Sequence, residues 1–139
     1  MKNMPHRNSR CLATPDRALL QQLLRKRGDS KAREWSMKQL RTLLEDTAVR
    51  TSGELPLSVV RLGSTCEVET LELGEIMRFT LTTPDQADLV RGRLSVLSPL
   101  GLAVIGRGEG AEVREPVPGG HCHIRISRVT TAKPQVAIA

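Results

Sequence analysis

Hydrophobic residues in the first third of the chain recur with the period of a helix. Leu19, Leu20, Leu23 and Leu24 line one face of a segment that opens at Thr14-Pro15-Asp16. A capping Thr, a Pro in the first turn and an acidic residue are typical of a helix start. The pattern predicts a first amphipathic helix from this point.

A second hydrophobic stripe follows Gly28-Asp29-Ser30, which predicts the end of the first helix and offers Ser30 as the next cap. Its members are Met37, Leu40 and Leu44, with Trp35, Leu43 and Ala48 as further candidates. The two stripes predict a short antiparallel helical hairpin over residues 14–50, a coiled coil with arms of about 20–25 Å. Residues 1–13 are predicted to be a flexible basic tail.

From residue 56 onward the hydrophobic period changes to two, as in strands. The predicted strands are Thr65–Thr70, Glu75–Thr83, Arg93–Ser98, Ala111–Val117 and His121–Thr130. Leu73-Gly74-Glu75 and Pro118-Gly119-Gly120 are predicted hairpin turns. Residues 132–139 are assigned to a C-terminal tail.

The apolar stretch LSVLSPLGLAVIG, residues 94–106, interrupts this alternation. Ser98-Pro99 predicts the start of a short helix that ends at Gly106 and buries Leu100, Ala103 and Val104. The stretch is therefore a strand, a sharp corner and a helix that covers the sheet. The chain as a whole is predicted to be α+β, with the helical hairpin first, then an antiparallel sheet domain with one short helix.

Composition sets limits on the core and on location. Among 139 residues the aromatic share is 1%, so that Leu, Val and Ile must form the core. No apolar run is long enough for a membrane span, and the first dozen residues lack the apolar stretch of a secretory signal. We expect a cytoplasmic protein without a membrane partner.

Cys11, Cys66 and Cys122 are far apart and form no Cys-x-x-Cys pair, which predicts reduced thiols.

The charge is unevenly distributed. Residues 1–55 contain twelve Lys or Arg and six Asp or Glu, whereas residues 56–139 contain nine of each. The whole net charge of +6 therefore belongs to the N-terminal part. This split predicts two segments with different tasks.

The C-terminal part carries three stretches in a distinctive order: VVRLGSTCEVETLELGEIMRFTL, RLSVLSPLGLAVIGRGEGAEVREPVPGG and HIRISRV. They resemble the C-terminal domain of the bacterial GreA/GreB transcript-cleavage factors over roughly residues 59–130. The strand-Ser-Pro-helix-Gly signature and the Pro-Gly-Gly hairpin occur together, which makes the resemblance specific. It implies an FKBP-like fold for residues 56–131. It does not imply prolyl isomerase activity, since that pocket is lined with aromatic residues and this chain has only Trp35 and Phe79.

The resemblance also implies a partner and a docking surface. In the family, this domain docks on the rim of the RNA polymerase secondary channel, against a coiled-coil tip of the largest subunit. Carried over to this chain, the RNA polymerase-binding surface is centred on Ser98 and Pro99, with Leu97 and Leu100 beside them. A corner fixed by proline loses little conformational freedom on binding.

The N-terminal hairpin departs from GreA and GreB. Their longer coiled coil presents two acidic residues that help to hold a catalytic magnesium ion. Here the corresponding tip contains Arg25, Lys26, Arg27, Asp29 and Lys31, and a single carboxylate among cations disfavours a metal. The short arms and LPLSVV resemble Rnk, the regulator of nucleoside diphosphate kinase. The resemblance implies a non-enzymatic polymerase-binding regulator with no transcript cleavage and no cofactor.

The basic N-terminal part leaves one alternative function open, non-specific DNA binding through phosphates. Arg25, Lys26, Arg27 and Lys31 belong to that patch, with Arg33 and Lys38. No aromatic platform for stacked bases accompanies it. This alternative predicts DNA binding without sequence specificity.

Two further motifs favour ordinary structural roles. Gly106-Arg107-Gly108-Glu109-Gly110 imitates a phosphate-binding loop, but it follows a helix and predicts a surface turn instead. His121 and His123 share one face of a strand, without an evident carboxylate beside them, and form a weak metal-site candidate.

Overall fold

The computed structural model describes residues 10–26 and 31–132, and for residues 31 and 32 the backbone only. It mixes three helices with two sheets among these residues. The helices are α1 (Thr14–Arg25), α2 (Lys31–Asp46) and α3 (Pro99–Val104). The strands are β1 (Cys11–Ala13), β2 (Ala48–Arg50), β3 (Thr65–Thr70), β4 (Ile76–Thr82), β5 (Arg93–Ser95), β6 (Glu112–Val117) and β7 (Gly120–Thr130).

The helices α1 and α2 contact each other and bury the central residues of the predicted stripes. Leu20 and Leu23 of α1 and Leu40 and Leu43 of α2 are buried in the same core as the sheet. The prediction of two amphipathic helices is confirmed. Leu19, however, is exposed, because the buried stripe of α1 is narrower than its run of leucines.

The start of α1 differs from the prediction in two details. Ala13 is the capping residue, and the Thr14 hydroxyl lies within the helix and donates to the carbonyl oxygen of Arg50 at 3.1 Å. Asp16 is buried and accepts a hydrogen bond from the backbone N–H of Leu62 at 3.1 Å. The predicted cap Ser30 lies outside the described residues.

The prediction of a flexible tail through residue 13 is wrong for its last residues. Cys11–Ala13 form strand β1, which is fully buried and pairs in parallel with β2, Cys11 opposite Ala48 and Ala13 opposite Arg50. Ala48, predicted on the second helix, therefore belongs to a strand. Three residues are too few to show a period. Residues 1–9 and the C-terminal tail from residue 133 lie outside the described part.

The sheet of the C-terminal part has five strands in the order β5-β4-β3-β7-β6. Its neighbours are antiparallel except β4 and β5, which pair in parallel, with Thr80 opposite Arg93. The prediction of a purely antiparallel sheet is wrong at this edge. Two 3-10 turns, Pro84–Gln86 and Leu89–Arg91, carry the chain back so that β5 runs in the direction of β4.

The core lies between this sheet and the three helices. Inward-facing residues such as Val68, Leu81 and Ile126 are fully buried and share a cluster with Leu20, Leu40 and Val104. The described residues contain no helix that is both long and apolar enough to cross a membrane.

Candidate functional site

The corner between β5 and α3 is fixed by local hydrogen bonds. The Ser98 hydroxyl donates to the carbonyl oxygen of Ser95 at 2.7 Å and accepts from the backbone N–H of Gly101 at 3.1 Å. Pro99 is the first residue of α3, where its missing N–H costs nothing. The helix ends at Val104, earlier than predicted. The corner is therefore a rigid, capped helix start.

The four predicted docking residues differ in exposure. Pro99 is exposed, and Ser98 and Leu100 are half-buried. Leu97 is buried in the core, because α2 covers it, and the Ser36 hydroxyl donates to its carbonyl oxygen at 2.8 Å. The prediction that the Leu97 side chain belongs to an exposed surface is therefore wrong.

A cleft of about 410 Å³ lies beside Pro99. Its lining residues come from the N-terminal segment, α2, β2, α3 and β6; they are Arg10, Gln39, Thr42, Leu43, Asp46, Thr47, Ala48, Pro99, Leu102, Ala103 and Glu115. The exposed residue of the corner and the last turns of α2 thus border the same space.

Two arginines meet one carboxylate at the side of this cleft. Arg10 donates to the carbonyl oxygens of Leu102 and Ile105 and forms an ion pair with Glu115 at 3.3 Å. Arg107 also binds Glu115 and is itself buried, so the predicted surface turn of the GRGEG stretch begins inside the protein. Burial, and next the neighbouring Arg107, lower the pKa of Arg10 to about 10, although Glu115 acts in the opposite direction.

Sequence reasoning did not find Arg10 or Glu115. Arg10 stands in a basic segment that resembles a solvated tail, and Glu115 stands in an alternating strand where an acidic residue is ordinary. Only the tertiary structure brings them together, since 105 positions separate them in the chain. No local signal could have identified the pair.

The basic tip is described only in part. Arg25 is the last residue of α1 and Lys26 follows it, and both are exposed. Arg27 and Asp29 lie outside the described residues, and Lys31 opens α2 with its side chain left undescribed. The tip therefore stays a prediction from the sequence.

Of the two histidine candidates, His123 of β7 contacts a carboxylate on β6. The Nε2 atom of His123 lies 3.1 Å from a carboxylate oxygen of Glu112, so a carboxylate does stand beside it. Glu112 also lies 3.7 Å from Arg125. Within the described residues no group of three metal-ligating side chains occurs.

Comparisons with known proteins agree with the arrangement of the C-terminal part. The family described as "Transcription elongation factor, GreA/GreB, C-term" matches residues 55–131. A transcription elongation factor GreA of Nitratidesulfovibrio vulgaris (strain DSM 19637 / Miyazaki F) is 43% identical over 70 residues, which are 50% of this chain and 44% of the relative. GreA of Syntrophobacter fumaroxidans is 43% identical over 67 residues, which are 48% of this chain and 43% of that relative. Each match spans less than half of the relative's length.

One solved structure is similar to most of this chain. It is the prokaryotic transcription elongation factor GreA/GreB from Nitrosomonas europaea, with a TM-score of 0.68 and 28% identity, covering 88% of this chain and 98% of that one. The FKBP-like classification and the Rnk-type assignment stay predictions. Because the family match covers more than half of the residues, the chain belongs to the GreA/GreB family of transcription elongation factors.

Proposed function

We propose that this protein is a transcription regulator that binds bacterial RNA polymerase through its C-terminal domain, at the rim of the secondary channel. The observation that carries the proposal is the family match over residues 55–131, which includes the whole Ser98-Pro99 corner. Within that corner Pro99 is exposed and its backbone is fixed by the Ser98 cap. A preorganised contact of this kind loses little entropy when a partner binds.

The corner's residues take different roles in this proposal. Pro99 makes the main contact with polymerase, and Ser98 and Leu100 flank it. Leu97 supports the corner indirectly. Its side chain is buried, and the hydrogen bond from Ser36 to its carbonyl oxygen holds the corner against α2.

We further propose that the protein does not stimulate transcript cleavage and is of the Rnk type. Support comes from the short helices, 12 residues in α1 and 16 in α2, which reach roughly 18–24 Å at 1.5 Å per residue. Further support comes from the tip sequence, where Asp29 is the one carboxylate among cations. No metal or cofactor enters the proposal.

The direct test is co-purification of the tagged full chain with core RNA polymerase, comparing wild type with Pro99→Asp. An acidic residue is well tolerated in the first turn of a helix, so α3 keeps its start while the apolar contact is lost. We expect wild type to retain polymerase and Pro99→Asp to lose at least tenfold in affinity. Pro118→Asp is the matched control, because Pro118 is also exposed but lies in the β6–β7 turn.

Absence of polymerase from the wild-type eluate would refute the proposed function. Equal loss in Pro99→Asp and Pro118→Asp would refute the role of the corner. For the cleavage claim, a backtracked elongation complex with magnesium should release no more short 3′ RNA with the protein than without it. Stimulated release would show that Asp29 acts despite its cationic neighbours.

The charge split favours DNA binding as the second candidate function. Arg25 and Lys26 are exposed and belong to the segment that holds all of the net charge. If DNA is the main partner, affinity for a short duplex falls steeply as salt rises, and replacing both residues with Ala flattens that slope. Fluorescence anisotropy of a labelled duplex at several salt concentrations measures this salt dependence. Our ranking expects weak DNA binding and polymerase binding that survives these substitutions.

A further inference from the structure

The cleft beside Pro99 has an apolar wall. Leu43 of α2 and Leu102 and Ala103 of α3 line it together with Pro99 itself. Its volume of about 410 Å³ is in the range of sites that receive a ligand or a large side chain. Since Pro99 borders both the cleft and the proposed docking corner, a partner that docks on the corner lies directly beside the cleft.

Two of the ionic groups that line the cleft are already engaged, and a third, Asp46, is available to a ligand. The Arg10 side chain is only 16% exposed and already donates to two carbonyl oxygens and to Glu115. Glu115 is engaged by two arginines. Asp46 is exposed, and the described part of the chain gives it no ion pair.

The position of Asp46 concentrates negative charge. It is the last residue of α2, where the free carbonyl groups carry a partial negative charge, and the last turn of α2 contains no basic residue. Cations are favoured at such a helix end and anions are disfavoured. The rim of the cleft at Asp46 therefore carries a negative charge that no described residue pairs with, whereas Arg10 and Arg107, which share Glu115, place a net positive charge on largely buried side chains at the other side.

The neutral polar residues of the cleft fit the same kind of ligand. The Thr42 hydroxyl donates to the carbonyl oxygen of Lys38 at 3.2 Å, which leaves its oxygen lone pairs to accept. Gln39 also lines the cleft and carries an amide oxygen. An aliphatic stem with a cationic end matches an apolar wall, polar acceptors and a carboxylate at the rim. An anion fits less well at this rim, because Asp46 would repel it and the net positive charge of Arg10 and Arg107 with Glu115 lies on largely buried side chains.

We propose that this cleft receives a lysine or arginine side chain of the protein that docks on the Ser98-Pro99 corner, with Asp46 as its ionic partner. The inference rests on the proposed function, since the occupant is a basic residue of RNA polymerase. It adds α2 to the docking surface and makes Asp46 a specificity-determining residue.

The test measures the affinity of the full chain for core RNA polymerase in wild type, Asp46→Asn and Asp46→Lys. We expect Asp46→Asn to weaken binding about two- to fivefold, as for an exposed ion pair, and Asp46→Lys to weaken it about tenfold or more through like-charge repulsion. The matched controls are Glu45→Gln and Glu45→Lys, because Glu45 is the exposed neighbour on the same helix and does not line the cleft. These controls should stay within about twofold of wild type.

Loss of folding cannot imitate the expected result. Asp46 is exposed, and removal of an acidic residue from a helix C-terminus stabilises that helix slightly. Thermal melts of all five proteins check this. We also expect the affinity of Asp46→Asn to fall less steeply with salt than that of wild type, because one charge pair is missing.

The possible outcomes distinguish a failure of this inference from a failure of the proposed function. If wild type binds polymerase and Pro99→Asp does not, but Asp46→Lys behaves like Glu45→Lys, the cleft takes no basic side chain and the inference is wrong while the function stands. Tighter binding by Asp46→Lys would mean an acidic occupant and would also overturn it. If wild type does not bind polymerase at all, both proposals fail.

Discussion

At the scale of single residues, Gly101 shows how a corner can depend on the lack of a side chain. A Cβ at this position would overlap the carbonyl oxygen of Ser95 and lie 2.9 Å from the Cα of Val96. Ser98 also needs this close approach, since its hydroxyl binds both Ser95 and Gly101. The sequence predicted the Ser-Pro start of α3, but not that Gly101 is required, because that requirement arises from the strand behind the helix.

We predict that Gly101→Ala lowers the free energy of unfolding by about 1–3 kcal/mol, since backbone atoms must shift to admit the methyl group. Urea denaturation of the full chain measures this. Gly53→Ala is the control, because nothing lies within 4 Å of an added Cβ there and its φ is not positive. A Gly101→Ala protein as stable as Gly53→Ala would show that the corner is not tightly packed.

At the scale of elements, predictability followed length. Strand β3 was predicted with its observed bounds, Thr65–Thr70, because six alternating residues suffice to show a period. Strands β1 and β2 have three residues each and were missed, and the three-residue β5 was predicted with its observed start but to continue to Ser98. The parallel pairing of β4 and β5 was also missed, because it depends on the path of the chain through two 3-10 turns and not on the strands themselves.

A substitution in strand β1 tests whether residues 11–13 form a buried strand or a flexible tail. Leu12 is 1% exposed within the main core. We predict that Leu12→Ala lowers the free energy of unfolding by about 2–4 kcal/mol, as for other buried leucines. Leu19→Ala is the control, since Leu19 is 40% exposed and should cost much less. Equal, small effects in urea denaturation would favour the flexible tail that the sequence suggested.

At the scale of the whole molecule, the two segments indicated by the charge share one core. Leucines of α1 and α2 belong to the same cluster as the sheet residues. Asp16, Ser36 and Arg10 add polar contacts to Leu62, Leu97 and Glu115 respectively. Charge distribution could not predict this, because it carries no information on which apolar side chains pack together or which polar groups are buried between them.

The Asp16 contact makes stability depend on pH. Burial raises the pKa of Asp16 above its ordinary value of 3.8, although the Leu62 N–H and Arg61 act in the opposite direction. The folded state therefore holds the proton more tightly than the unfolded state, and stability falls as pH rises through the ordinary value toward the raised one. We predict that wild type loses stability relative to Asp16→Asn over this interval.

Urea denaturation at a series of pH values from about 2 to 7 measures this difference. Asp85→Asn is an informative control, because hydrogen bonds, first from Thr83, lower the pKa of this exposed carboxyl. Relative to Asp85→Asn, wild type should gain stability as pH rises from the lowered pKa of Asp85 toward the ordinary value. This is the opposite of the trend expected for Asp16. A pH-independent difference between wild type and Asp16→Asn would show that Asp16 is solvated.

The N-terminal segment rests on a part of the chain that is synthesised much later. The backbone N–H of Cys11 donates to the carbonyl oxygen of Gly106 at 2.8 Å, and Arg10 binds carbonyl oxygens at the end of α3. At usual rates of translation the ribosome needs roughly 5–20 seconds to make the intervening chain. During that time the backbone N–H of Cys11 lacks its acceptor, and Arg10 lacks the two carbonyl oxygens that it binds. The first of the described residues to be made therefore complete their native hydrogen bonds only after most of the chain exists.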